Sequence, residues 1–120
     1  MVKGNDMMDW RSLCPISSAL DILGDKWSLL IIRDLIIHGS RTYSQFLEAP
    51  EHISTNILAA RLDLLTSLKL IERTQPDAPS RNNAFQLTES GAALRPVLEA
   101  MGNWAGKHLS DYHPTMLKLP

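Results

Sequence analysis

A mainly α-helical domain carrying one small β-hairpin is what this sequence predicts, and three features predict it. Apolar residues recur at helical spacing in several segments separated by Pro and Gly, good capping residues stand at the segment starts, and a single pair of short β-favouring runs flanks a turn-rich tip. At 120 residues and 44% hydrophobic, the chain is the size of one ordinary domain.

The elements follow in order. Pro15 suits a first helical turn and opens a helix through "ISSALDIL" that Gly24 ends. "KWSLLIIRDLIIH", residues 26–38, is apolar nearly all round, which predicts a central helix buried on most sides, with Trp27 in the core and Gly39 as its stop. In "RTYSQFLEA", Thr42 and Gln45 have capping-box spacing, and Phe46 and Leu47 supply inward contacts for a short helix closed by Pro50.

Ser54 then caps a longer helix whose Leu58, Leu62 and Leu65 form one core stripe. "LIERTQ" and "NAFQLT" read as strands joined through the turn-forming "PDAPSRN". Thr88 caps a last helical region, "ESGAALRPVLEAMGNWAGKHL", which Pro96 should kink or split. Its Leu94, Val97, Leu98, Met101 and Trp104 form a stripe that suits either packing within the chain or contact with a second chain. The reading divides the chain into an N-terminal lead (1–13), a domain (14–109) and an irregular tail (110–120). Helix, helix, short helix, capped helix, hairpin, long helix is the order of a winged helix-turn-helix.

Composition bounds the function. Lys and Arg total 12 against 13 Asp and Glu, so any nucleic-acid surface must be local. "WSLLIIRDLII" is too short and too interrupted to span a bilayer, and "MVKGNDMMDW" lacks the pattern of a signal peptide, so no membrane partner is expected and the chain reads as cytoplasmic. The single cysteine, Cys14, excludes an intramolecular disulfide and a cysteine-rich zinc site, and His38, His52, His108 and His113 show no metal spacing. No nucleophile elbow, phosphate loop or metal motif is present, so neither a catalytic residue nor a cofactor is expected.

Opposite the leucine stripe of the helix after Ser54 lie Asn56, Ala59, Ala60, Asp63 and Ser67, with Thr55 and Arg61 on the flanks. Small side chains let a helix approach base edges, and Asn can bond adenine twice. A solvated surface face would look similar. Arg41 before the short helix, Arg61, and Arg81 with Asn82 at the hairpin tip outline a footprint for phosphates, although each is also an ordinary surface charge and Asp63, Glu72 and Asp77 dilute the positive field. The alternative to a DNA-binding regulator is a winged-helix module that binds another protein.

Taken in order, "CPISSALDILGDKW", "LLIIRDL", "RTYSQF", "ISTNILAARL", "LIER", "LTESGAAL" and "PVLEAMGNW" resemble the HxlR family of bacterial winged-helix regulators, which are MarR-like in architecture. The resemblance implies a homodimeric transcription regulator that binds double-stranded DNA at a pseudo-palindromic operator. It places Ser54, Thr55, Asn56 and Arg61 on the recognition helix, whose outer face also carries Ala60, and Arg81 on the wing. It also implies dimerisation through the N- and C-terminal helices, with Ile16, Leu20, Leu98, Met101 and Trp104 as candidates. Two departures stand out: Lys69 where a glycine usually follows the recognition helix, and Asp63 where a basic residue is frequent. The resemblance extends a thiol-sensing role to Cys14, with an oxidant or another small molecule as effector; a small apolar residue packed at the helix start is the other role that fits it.

Overall fold

The computed structural model describes residues 9–79 and 83–118. The elements are α1 (Pro15–Leu23), α2 (Ser28–His38), β1 (Ser40–Thr42), α3 (Tyr43–Phe46), α4 (Thr55–Ser67), β2 (Ile71–Arg73), β3 (Ala84–Leu87), α5 (Glu89–Ala92) and α6 (Arg95–His108). This is a winged helix-turn-helix, helical throughout except for a small antiparallel sheet in the order β1-β3-β2. Ile31, Ile32 and Leu35 of α2, Phe46 of α3, Leu58, Leu62 and Leu65 of α4, and Ile71 of β2 are buried in one core. The stripe predicted on α4 is therefore its core face.

Capping explains most of the boundaries. Thr42 and Gln45 form the reciprocal box at α3, and the Ser54 hydroxyl accepts the Ile57 N–H at α4. Gly39 ends α2 with φ 83°, a left-handed conformation that glycine adopts without steric cost. α2 starts two residues later than the apolar pattern suggests, because Asp25 accepts the Trp27 and Ser28 amides and holds residues 25–27 in a turn. Trp27 is consequently half-buried at the rim rather than in the core, and Ile37 near the other end of α2 is exposed.

The sequence reading missed β1. Its three residues pair with β3 in the register Ser40↔Gln86, Arg41↔Phe85 and Thr42↔Ala84, joining positions more than forty apart that no local pattern links. β2 pairs on the other side of β3, as the predicted hairpin requires. At the base of the hairpin the Thr74 N–H donates to the Ala84 carbonyl at 2.8 Å, and the buried Asn83 side chain accepts the Gln75 amide at 3.0 Å and donates to the Gln75 carbonyl, closing the loop. The C-terminal helix is split, as Pro96 suggested, with the break at residues 93–94; Pro96 itself lies in the first turn of α6, where its missing N–H costs nothing.

α4 ends without glycine, and the structure shows how. The Leu70 N–H bonds the Leu65 carbonyl and the Lys69 N–H bonds the Thr66 carbonyl, a Schellman arrangement that forces Lys69 to φ 63°. A side chain with Cβ resists that conformation. Lys69→Gly is expected to stabilise the fold by about 1 kcal/mol, read as a higher urea midpoint at unchanged slope.

Candidate nucleic-acid interface

α4 presents two faces. Leu58, Leu62 and Leu65 point inward, whereas Ser54, Thr55, Asn56, Ala60, Asp63 and Ser67 are exposed. Ala59 departs from its expected place: it is half-buried and turns toward a groove between α4 and the wing. The helix start is aimed by α3, since the Tyr43 hydroxyl donates to the Thr55 carbonyl at 2.7 Å. Tyr43 carries no pattern of its own in the sequence, and its positioning role becomes visible only in three dimensions.

The sheet register brings Arg41, Phe85 and Arg73 into one row across β1, β3 and β2. Directly opposed residues of antiparallel strands share a face. Phe85 of this row packs against the Phe46 ring and lines the groove with Arg73, Tyr43, Ser44, Ala59 and Asp63. Arg73 is exposed and was not singled out from the sequence, where "IER" gives no sign of which strand face meets α4. Glu72 belongs to the opposite face, beside Gln86, whose side-chain amide donates to it at 3.0 Å. It therefore dilutes the positive charge of this row less than its neighbourhood in sequence suggested.

Two predicted contacts are held by the protein itself. Arg41 is half-buried and donates to the Gln45 carbonyl at 2.7 Å. Arg61, half-buried, pairs with Asp25 at 3.5 Å. Its guanidinium thus ties α4 to the α1–α2 corner rather than standing out as an exposed phosphate contact. Burial pushes the Asp25 carboxyl upward, but hydrogen bonds from Ser28 and Trp27 and the Arg61 charge outweigh it and hold Asp25 below the usual carboxylate range. Arg81 and Asn82 lie outside the described residues.

A second surface lies on α1 and α6. Ile16 is 73% exposed, Met101 51% and Trp104 58%, and Leu20 and Val97 are exposed as well. Among the described residues, packing within the chain therefore does not account for the α6 stripe, of which Leu94 and Leu98 alone lean on the core. Cys14, at the start of α1, is exposed in the single chain rather than packed on the core described above. Arg11 beside it is paired with Asp21 and also reaches the Ser17 carbonyl at 3.5 Å. No helix among the described residues is long and apolar enough to cross a membrane.

A capped helix with a small polar face, set beside a three-stranded wing, defines the class of winged helix-turn-helix transcription regulators. Residues 22–113 match the HxlR-like helix-turn-helix family, and the chain belongs to it. An HTH-type transcriptional regulator of Synechocystis is 39% identical over 90 residues, covering 74% of this chain and 65% of the relative. The HTH-type transcriptional regulator YodB of Bacillus subtilis is 34% identical over 97 residues, covering 79% of this chain and 85% of YodB. The reduced form of YodB superposes with a TM-score of 0.65 at 33% identity over 81% of this chain and 95% of YodB. YodB also has a quinone-bound structure.

Proposed function

We propose that two copies of this chain bind a pseudo-palindromic DNA site, with the N-terminal half of each α4 in the major groove. The carrying observation is that this half is capped and exposed, with Thr55, Asn56 and Ala60 outward over a fully buried leucine face. Asn56 would read a base edge, Arg73 and the hairpin residues Arg81 and Asn82 would meet phosphates, and the half-sites would lie about 34 Å apart. Exposed Cys14, the chain's single cysteine, would receive the signal as a disulfide between copies or as an adduct with an oxidant or quinone-type electrophile. The quinone-bound form of YodB supports that class of effector.

The test is fluorescence anisotropy with a duplex enriched from a random-sequence pool by the protein, against a scrambled duplex, at two salt concentrations. Tighter binding to the enriched duplex is expected, with affinity falling by about 0.9 log unit per log unit of salt for each neutralised phosphate. Asn56→Ala should alter sequence preference, whereas Arg73→Ala should weaken binding to both duplexes. Oxidant or quinone should change the affinity of the parent and leave Cys14→Ser unaffected. Equal, salt-insensitive binding to both duplexes would instead favour the protein-binding module.

A further inference from the structure

The chain leading into α4 is held from outside as well as by its own backbone. The His52 N–H donates to the Ala49 carbonyl at 3.1 Å, but among the described residues the amides of residues 53 and 54 have no backbone acceptor. His52 also takes φ 61°, a left-handed conformation that residues with Cβ resist. Ile53 packs this turn on the core, and a small half-open pocket of about 20 Å³ beside it is lined by Trp27, Phe46 and Ala49 together with Arg33 and Glu51.

Across the turn, Arg33 of α2 meets Glu51 fork on fork: Nη1 donates to Oε2 at 2.7 Å and Nη2 to Oε1 at 2.9 Å. Arg33 Nε simultaneously donates to Oδ1 of Asp34, itself only 7% exposed, at 2.9 Å. Two parallel bonds to a planar carboxylate fix direction and rotation together, which a single bond does not. The Arg33 bonds hold the Glu51 carboxyl below its usual range, and Glu51 in turn raises Arg33.

We infer that Arg33 and Glu51 are a positioning pair that sets the pose of α4 on DNA, so that Glu51 governs discrimination between sites without touching a base. The inference rests on the DNA-binding reading above. Thr55 and Asn56 follow Glu51 by four and five positions, so a swing of the turn displaces the residues placed at base edges. Phosphate contacts tolerate such a displacement better than base contacts do, because they carry no sequence information.

Glu51→Gln is the variant of choice, since it removes one of the two acceptors while Arg33 keeps Asp34 and no buried charge is orphaned. Arg33→Lys keeps a cation beside Asp34 and abolishes the fork. Dissociation constants are measured by anisotropy for the enriched and scrambled duplexes, with thermal unfolding of each variant alongside. In either variant the ratio of the two constants is expected to fall about tenfold, mostly through weaker binding of the enriched duplex. The double variant should lose no more than either single one, because both break the same contact. A ratio unchanged within about twofold in both variants, beside a parent that discriminates, overturns the inference. Equal weakening on both duplexes also overturns it, since that would make the pair a matter of fold rather than of reading. A parent that does not discriminate overturns the DNA-binding reading itself, and the pair's role with it.

Discussion

Gly91→Ala is expected to destabilise the protein by about 3 kcal/mol, lowering its unfolding temperature by roughly 10 °C or more. A Cβ at this position would lie 2.0 Å from the Leu70 carbonyl oxygen and 3.0 Å from its carbon, with a Leu87 methyl at 3.1 Å. Flexible side chains can move aside; here the obstacle is backbone. The Leu70 carbonyl is moreover fixed in place, accepting the Thr88 N–H and the Thr88 hydroxyl, each at 3.1 Å. Relief would require α5 to lift away from the joint between α4 and β2, breaking the cap that orients both.

Gly106→Ala supplies the contrast. Nothing lies within 4 Å of a Cβ there, and the residue sits inside α6. A neutral to slightly stabilising effect, up to about 1 kcal/mol, is expected from the difference in helix propensity. Urea unfolding of the two variants beside the parent checks both signs. A Gly91→Ala midpoint equal to the parent's would mean that α5 packs less closely on Leu70 than the structure shows.

Where one residue's chemistry decides a local event, the sequence was legible. Thr42 with Gln45, Ser54, Thr88, Pro15, Gly24 and Gly39 each mark a helix boundary because a particular amide or carbonyl needs a partner nearby in the chain. The Lys69 departure was visible in the sequence, but that Lys69 itself would take the left-handed conformation usual for glycine was not. What escaped was mostly long-range, since β1 exists because β3 lies beside it; the exception is Asp25, a local side chain whose contacts with the Trp27 and Ser28 amides delay α2 and which the apolar pattern of 26–38 masked.

The candidate interface divides along the same line. The exposed face of α4 could be read from helical periodicity, so Thr55, Asn56 and Ala60 stand where expected. Charged side chains could not be assigned that way, because a long arginine goes to whichever partner the fold brings near. Arg61 turns to Asp25 and Arg33 to Glu51, while Arg73, a plain strand residue in the sequence, faces the groove beside α4. The stripe on α6 had the right spacing for a core, and only the solvent exposure of Met101 and Trp104 shows that the single chain leaves it uncovered.

That uncovered stripe leads to the other large expected effect, which belongs to the proposed dimer. Met101→Glu should convert the protein to a monomer at micromolar concentration and weaken binding to a duplex carrying both half-sites by about a hundredfold or more. In a dimer of the kind the family resemblance implies, Met101 and Trp104 of α6 and Ile16 and Leu20 of α1 would meet their counterparts on a second copy. A carboxylate there would be desolvated opposite its own symmetry mate. Because Met101 is exposed in the single chain, the same change should leave the stability of the monomer fold within about 0.5 kcal/mol, so loss of the dimer would not be mistaken for unfolding. Sedimentation or light scattering reads the assembly, and anisotropy on one-half-site and two-half-site duplexes reads the consequence. The one-half-site duplex should be bound alike by parent and variant, since the gain from pairing two recognition helices is an effective-concentration effect and adds no contact to either half. A Met101→Glu protein that remains dimeric and keeps its full affinity would move the contact between copies to another face and detach the α6 stripe from DNA binding.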